Sequence, residues 1–162
     1  MQFPSPGTLI SGTWRLLRGL PGGRWAFGHL IGLLAPYSGS IAPCIEELGP
    51  GHARVTIRDR WRLRNHLESV HAVALANLCE LTSGLAMLAA LPSGVRGILT
   101  GLNVTYRKKA RGRITAECNC SVPAVTEPVE HVIEVCARDA RGEVVVEAQA
   151  QWRLAPAMRA TS

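Results

Sequence analysis

Hydrophobic and polar positions recur along this chain with two different periods, and the longer period marks three helices. Apolar residues return every three or four positions over 8–20 and 23–35, which predicts two short amphipathic helices separated by Pro21 and Gly22. Residues 70–90 are apolar on nearly every side and end before Pro92. This stretch predicts one long central helix that is buried all round.

A period of two residues, typical of strands with one buried face, occupies most of the remaining chain. Six strands are predicted, at 41–48, 53–64, 98–106, 113–122, 131–139 and 143–154. In the second strand the predicted inward face consists of Val55, Ile57, Trp61 and Leu63. In the third strand it consists of Ile98, Leu102, Val104 and Tyr106.

The order of these elements predicts the fold class. Two strands precede the long apolar helix and four strands in a meander follow it, which indicates an antiparallel sheet curled around a central helix. We therefore predict an α+β hotdog fold in a single domain over 1–162. The predicted parts are an N-terminal helical segment at 1–36, a hotdog core at 37–155 and a tail at 156–162.

Composition supports one globular domain without a membrane span. The chain has 162 residues, of which 47% are hydrophobic, enough for a sizeable core. The most apolar stretch, 70–92, contains His71, Asn77 and Glu80, which argues against a spanning helix. The N-terminus has no signal-peptide pattern, and the five cysteines lack zinc-type spacing. We expect reduced thiols, no metal and a cytoplasmic protein.

The net charge of +6 raises the possibility of an anionic partner. One basic cluster lies on the outward positions of the second strand, and another is the stretch YRKKARGR at 106–113. Neither is interleaved with exposed aromatic residues, and no helix-turn-helix or finger pattern is present, so we expect no nucleic acid partner. The second cluster would suit a ligand with several phosphates, and the alternative is a solvated basic face.

Polar residues at the start and middle of the central helix carry the family resemblance. The stretch RNHLESVHAVALANLCELTSGLAM, together with TYRKKARG and an upstream PYSGS, resembles the hotdog-fold acyl-CoA thioesterases of the phenylacetate-degradation type, and is most similar to an uncharacterised branch of that group. The resemblance covers about 36–155. Relatives have an Asn, a His six residues later and an acidic residue nine further on; Asn65, His71 and Glu80 match. The pair Ala72-Val73 replaces the Gly-Gly that follows the family histidine.

Helical geometry indicates that a complete site requires two chains. Nine residues correspond to about 900°, which places His71 and Glu80 on opposite sides of the helix and about 13.5 Å apart along its axis. Two antiparallel copies of the helix could bring Glu80 of one chain toward His71 of the other. We therefore expect a homodimer with two reciprocal sites, or a tetramer made of such dimers. The resemblance implies the same arrangement.

Each candidate residue has a catalytic and a structural interpretation. Glu80 would activate water or attack the thioester directly, or it is a structural acid paired with an arginine. The Ala72 N–H would polarise the carbonyl, and Asn65 would hold the carbonyl or the water, or only close a turn. His71 would orient the loop or cap the helix. Candidates for the coenzyme A phosphates are Arg107, Lys108, Lys109 and Arg111, or these form a solvated strand end.

The sequence thus predicts an acyl-CoA thioesterase that releases free acid and coenzyme A. No cofactor is expected apart from the coenzyme A that is part of the substrate. The alternative is a non-catalytic dimer that binds acyl-CoA or lipid, because the loss of the glycine after His71 could remove turnover and leave the pocket. A hotdog dehydratase would need a Pro-Gly-His loop, which the sequence lacks.

Overall fold

The computed structural model describes residues 6–157, and the helices form in the predicted regions. The N-terminal helices are α1 (Pro6–Leu17), α2 (Gly23–Leu34) and the short α3 (Pro36–Gly39), and the long helix is α4 (Ala72–Ala90). The strands are β1 (Cys44–Gly49), β2 (His52–Arg58), β3 (Val95–Tyr106), β4 (Arg113–Asn119), β5 (Val129–Asp139) and β6 (Val144–Pro156). Most of the predicted tail, 158–162, lies outside the described residues, as do the first five residues of the predicted N-terminal segment.

The six strands form one antiparallel sheet in the order β1-β2-β4-β5-β6-β3. Consecutive strands are neighbours except for β3, which follows α4 and pairs with β6 at the far edge. The sheet curls around α4, whose apolar residues form the core with the inward faces of the strands. This arrangement confirms the predicted α+β hotdog architecture.

Helix α4 is the core helix of the domain. Within residues 6–157 it is the one helix long and apolar enough to cross a membrane, but 67% of its most apolar window is buried inside the protein. Leu78, Ala86 and Met87 are fully enclosed. A hydrogen bond from the Trp152 indole Nε1 to the Ser83 hydroxyl, 3.3 Å long, joins α4 to β6 inside this core.

The second predicted strand is shorter than its alternating pattern. β2 ends at Arg58, and a 3₁₀ turn at Trp61–Leu63 replaces the predicted extension to residue 64. Trp61 is 82% exposed, so its predicted inward position is wrong, whereas Val55, Ile57 and Leu63 are buried as predicted. The change of conformation after Arg58 ends the strand period, so the alternation in sequence no longer corresponds to alternating faces.

A bulge in β3 corrects the predicted inward face of that strand. The register with β6 shifts between Leu99 and Gly101, which inserts one extra residue into β3. The shift reverses the side on which Ile98 lies relative to Leu102, and Ile98 is 64% exposed rather than inward. Downstream of the bulge, Leu102 and Val104 lie against the core as predicted, whereas the predicted inward position of Tyr106 is wrong, because its side chain is exposed.

The N-terminal helices pack against one side of the core at close range. α1 and α2 contact each other and β1, and α1 also contacts α4. Trp14 and Phe27 are buried between the two helices with ring centroids 5.2 Å apart. Gly28 permits the approach of α2 to the chain before β1, because a Cβ there would lie 2.0 Å from the Pro43 carbonyl oxygen.

Candidate functional site

The loop before α4 is folded around the side chain of Asn65. Its Oδ1 accepts hydrogen bonds from the Leu67 N–H (2.9 Å), the Ser69 N–H (3.3 Å) and the Ser69 hydroxyl (3.1 Å). Glu68 adopts a left-handed conformation with φ 53°, which closes the tight turn. The Asn65 Nδ2 amide makes no hydrogen bond within residues 6–157, so it remains available as a donor.

His71 ends this loop and caps the helix. Its backbone is extended (φ −62°, ψ 141°), and its Nδ1 accepts a hydrogen bond of 3.1 Å from the Val73 N–H. Its own N–H donates to the Leu63 carbonyl at 2.7 Å. Since Nδ1 accepts, the proton of the neutral ring is on Nε2. The structure therefore gives His71 a capping and orienting position at the helix N-terminus.

The first residue of α4 presents a backbone donor. The N–H groups of the first helical turn lie outside the intrahelical ladder, and that of Ala72 has no acceptor within the described residues 6–157. The Ala72 carbonyl accepts a hydrogen bond of 3.0 Å from the Tyr106 hydroxyl, which ties the helix start to the end of β3. A donor of this kind, in the positive field of a helix N-terminus, can stabilise an oxyanion.

Glu80 is half-buried in the middle of α4 and has no partner among residues 6–157. Its carboxylate makes no hydrogen bond and no ion pair in the described part of the chain, and burial alone raises its pKa. It lies in one stripe of the helix with Val73 and Ala76, the positions where α4 is not covered by the sheet. The predicted alternative, an internal arginine partner, is absent among residues 6–157.

The placement of His71 changes one step of the geometric argument for a shared site. Because His71 is extended and precedes the helix, the expected rotation of 900° does not apply to its side chain. The axial distance remains: Ala72 and Glu80 are eight residues apart, or about 12 Å along the helix. One thioester carbonyl cannot contact both groups in a single chain.

The structure adds Asn77, which the sequence analysis used only as an argument against a membrane span. Asn77 is buried three residues before Glu80, on the same side of α4. Its Nδ2 donates to the Tyr37 carbonyl at 2.9 Å, which holds α3 against α4, and its buried Oδ1 has no partner in the described chain. In the sequence, the signal that could have indicated this residue is an amide side chain within an otherwise apolar helix.

The basic cluster is largely engaged by other protein groups. The Arg107 Nε donates to Glu147 at 2.8 Å, and Lys108 pairs with Glu143 and, at 2.6 Å, with Asp139. Arg111 donates to the carbonyls of Glu68 (3.1 Å) and Leu67 (3.2 Å) in the loop of Asn65. Lys109 is exposed and makes no hydrogen bond or ion pair with residues 6–157. The structure thus brings Arg111 to the Asn65 loop, and of the four cations Lys109 is the one without a partner among the residues that the structure describes.

Comparison with known proteins identifies the family. A domain of unknown function, DUF4442, matches residues 23–154, which include the loop of Asn65, all of α4, strands β1 to β5 and all but the last two residues of β6. The chain belongs to the DUF4442 family. None of the curated proteins compared with this sequence gives a significant match.

Solved structures show which proteins this DUF4442 chain is similar to. The structural-genomics protein APC5556 has a TM-score of 0.80 and 33% sequence identity, covering 92% of this chain and 99% of the other. PA5026 of Pseudomonas aeruginosa, described as a probable thioesterase, has a TM-score of 0.73 and 25% identity, covering 85% and 97%. The thioesterase HI1161 of Haemophilus influenzae has a TM-score of 0.69 at 13% identity, covering 82% and 92%, which shows the shared hotdog fold.

Proposed function

We propose that this DUF4442 protein is a thioesterase that hydrolyses an acyl thioester, with coenzyme A as the thiol carrier. The observation that carries the proposal is Glu80, a half-buried carboxylate with a raised pKa and no partner in the described part of its own chain. A raised pKa is what a general base at neutral pH requires. The likeness to PA5026, a probable thioesterase at 25% identity, supports the same reaction class, as does the resemblance to thioesterases of the phenylacetate-degradation type.

The proposed reaction uses the residues around α4 in defined roles. The thioester carbonyl accepts hydrogen bonds from the Ala72 N–H and the Asn65 Nδ2. Glu80 removes a proton from water, and the resulting hydroxide attacks the carbonyl carbon to form a tetrahedral oxyanion. The C–S bond then breaks, and the thiolate takes the proton from Glu80 to give the free acid and the thiol. Direct attack by the Glu80 carboxylate, followed by hydrolysis of the anhydride, is the covalent alternative.

The proposed site is shared by two chains. The 12 Å between Ala72 and Glu80 prevents one chain from supplying both groups to one carbonyl. Strand β3 is twelve residues long and lies at an edge of the sheet, with β6 on one side only, so its other side can pair with a second copy. A two-fold contact there would create two reciprocal sites, each with Glu80 from one chain and the Asn65 loop from the other.

Coenzyme A recognition in this proposal depends mainly on Lys109. Arg107 and Lys108 already face carboxylates, which lowers the attraction that they offer to a phosphate. Arg111 orders the Asn65 loop through two backbone carbonyls, so it links the basic cluster to the catalytic loop. Lys109 has no such engagement and is placed to pair with a phosphate of the nucleotide.

The decisive experiment measures hydrolysis of a panel of acyl-CoAs by the loss of thioester absorbance, which avoids interference from the five free cysteines. We expect turnover of at least one acyl-CoA by the wild type and its loss in Glu80→Gln. The Glu127→Gln variant, which changes an exposed loop carboxylate, is the matched control and should keep activity. No turnover of any acyl-CoA by the folded wild type would refute the proposal.

A second candidate function, binding of acyl-CoA without turnover, is favoured by the residues after His71. Val73 is half exposed in the same stripe as Glu80, where relatives have glycine, so its side chain narrows the approach to the helix N-terminus. Calorimetry distinguishes the two functions. Micromolar binding of an acyl-CoA that is never cleaved, unchanged in Glu80→Gln, would favour the binding protein.

A further inference from the structure

The α1–α2 hairpin ends in a cluster of exposed apolar side chains that the proposed site does not use. Leu16 lies in the last turn of α1, Leu20 in the connecting turn and Trp25 in the first turn of α2. Their exposed fractions are 76%, 57% and 63%. These three residues, here called the hairpin tip, are large, exposed and close in sequence around the connecting turn, and the Trp25 ring stacks on His29 with ring centroids 5.5 Å apart. Large apolar side chains exposed around one turn are a candidate interaction surface.

The backbone of the hairpin tip is well ordered by internal contacts. The Leu20 N–H donates to the Leu17 carbonyl (3.0 Å), and the Gly23 N–H donates to the Leu20 carbonyl (2.9 Å). A Cβ at Gly23 would lie 1.8 Å from the Leu17 carbonyl oxygen, so glycine is required where the two helices meet. The buried Trp14–Phe27 pair holds the helices together behind the tip. These contacts fix the backbone of the hairpin in the conformation that leaves Leu16, Leu20 and Trp25 exposed.

A basic stripe runs along α1 beside the tip. Ser11, Arg15 and Arg18 are spaced four and three residues apart, which places them on one side of the helix. They line a cleft of about 520 Å³ between α1, the turn at Gly49-Pro50 and the end of α4. Neither arginine forms an ion pair within residues 6–157. No Asp or Glu precedes Glu46 in the sequence, so the charged side chains of α1, α2 and their connecting turn are all basic.

From this combination we infer that the α1–α2 hairpin docks on the surface of an anionic phospholipid bilayer. The hairpin tip enters the boundary between headgroups and acyl chains, where leucine and tryptophan side chains are favourable. Arg15 and Arg18 then contact lipid phosphates from the cleft beside the tip. An exposed apolar tip next to unpaired arginines and free of acidic residues is complementary to a bilayer that presents both phosphate and hydrocarbon.

The position of the hairpin in the fold leaves it available in a dimer. α1 and α2 pack against β1, whereas the edge proposed for dimer contact is β3, at the opposite end of the strand order. A dimer formed through β3 would therefore carry two hairpin tips away from the contact. The inference does not depend on thioester hydrolysis, because no residue of the tip or the basic stripe belongs to the proposed catalytic site.

Co-sedimentation with vesicles tests this inference. The wild type should bind vesicles of phosphatidylcholine with 30–40% phosphatidylglycerol at roughly 0.1 M salt, and bind pure phosphatidylcholine at least about tenfold more weakly. Leu16→Ser with Leu20→Ser, and Arg15→Gln with Arg18→Gln, should each weaken binding by about tenfold or more. The matched controls, Val132→Ser and Arg141→Gln, change an exposed apolar and an exposed basic residue outside the hairpin and should bind as the wild type does.

Tryptophan fluorescence locates the contact independently. Trp14 and Trp152 are buried and Trp61 is exposed, so in a Trp61→Phe protein the exposed indole among the remaining three belongs to Trp25. Vesicles with bromine on the acyl chains should quench that emission and shift it to shorter wavelength. Circular dichroism and molar mass by light scattering verify that the variants keep the fold and the oligomeric state.

Three outcomes would overturn the inference. One is failure of the wild type to bind the anionic vesicles. Another is equal weakening by Arg141→Gln and by the Arg15 and Arg18 changes, which would indicate attraction by net charge alone. The third is a smaller oligomer in the Leu16 and Leu20 variant, which would identify the hairpin tip as a contact between copies of this chain.

Discussion

At the scale of single residues, Glu80 shows how position changes the chemistry of a side chain. The surrounding helix and sheet remove part of the water around its carboxylate, and no cation in the described chain offsets that loss. The ionised form is therefore disfavoured and the pKa rises. Asn65 and His71 differ from it, because their acceptor atoms already hold the loop and the helix start. The Glu80 carboxylate, in contrast, makes no hydrogen bond or ion pair within residues 6–157.

Replacement of Glu80 by glutamine should remove catalysis and keep the structure. Gln is nearly isosteric but cannot accept a proton or attack as a carboxylate, so we expect hydrolysis to fall by about a hundredfold or more. Initial rates at saturating acyl-CoA measure the loss. Glu127→Gln should be unaffected, and near-normal turnover in a folded Glu80→Gln protein would exclude Glu80 from the reaction.

The same substitution has a pH signature in stability. The Glu80 pKa is higher in the folded than in the unfolded chain, so folding is favoured by protonation of Glu80 and loses that contribution as pH rises through the folded pKa. Glu80→Gln should match the wild-type Tm in acid, below the unfolded pKa, and exceed it near neutral pH. Thermal denaturation across pH 4–8 provides the measurement. A Tm below wild type at neutral pH would instead reveal a partner for Glu80.

Lys109 and Lys108 form a matched pair for coenzyme A recognition. Lys109→Ala should raise KM for acyl-CoA by about five- to tenfold with little change in kcat, since a phosphate contact contributes mainly ground-state binding. Lys108→Ala should have a smaller effect on KM, because Lys108 already pairs with Asp139 and Glu143. Thioesters without the nucleotide should show no difference. Equal effects of Lys109→Ala on both substrate types would exclude a phosphate contact.

At the scale of elements, glycines determine how closely the N-terminal helices approach the core. Gly28 lies where α2 contacts the chain before β1, and no side chain fits between them. Gly12 lies in the interior of α1, where an added Cβ would have no atom within 4 Å. A substitution at Gly28 therefore tests the close packing of α2, whereas a substitution at Gly12 tests only how strongly the new residue favours a helix.

Alanine at these two glycines should have opposite effects. Gly28→Ala places a Cβ 2.0 Å from a backbone oxygen, which should lower the free energy of unfolding by about 1–3 kcal/mol. Gly12→Ala should raise it by about 0.5–1 kcal/mol, because alanine favours the helix. Urea denaturation measures both. A stabilising Gly28→Ala would show that α2 does not pack at this distance.

At the scale of the whole molecule, two features lead us to expect a dimer: the free edge of β3 and the distance between Ala72 and Glu80 along α4. A long edge strand is favourable for pairing with another chain. The proposed catalytic groups at Ala72 and Glu80 are about 12 Å apart along α4, too far to act on one carbonyl within one chain. One two-fold contact would satisfy both features and produce two complete sites.

Mixing two inactive variants tests the shared site. Asn65→Asp keeps the acceptor oxygens that hold the loop but removes the Nδ2 donor, and Glu80→Ala removes the base. Each homodimer should be nearly inactive because both of its sites lack one group. After joint unfolding and refolding, about half of the dimers are mixed and each has one intact site, so activity should return to about a quarter of wild type. No recovery in a verified mixed dimer would contradict the shared site.

The sequence alone was sufficient for the parts of this protein that depend on local periodicity. The sequence predicted the apolar run of α4, the alternation in β4, β5 and β6, and helices α1 and α2, because a buried face imposes its period on the residues that form it. The short α3 was not predicted. The order of helix and strands was also sufficient for the hotdog architecture. The spacing of Asn65, His71 and Glu80 identified the region of the candidate site.

Only the tertiary structure decided features that depend on contacts between distant residues. The bulge in β3 reversed the position of Ile98, since register is a property of two paired strands. In the sequence, Arg107, Lys108 and Arg111 are equivalent members of one basic cluster. In the structure, Arg107 and Lys108 pair with carboxylates of other strands, and Arg111 donates to the Asn65 loop. The sequence likewise does not indicate that Glu80 lacks a partner among residues 6–157. Burial and pairing depend on groups that come together only when the chain folds.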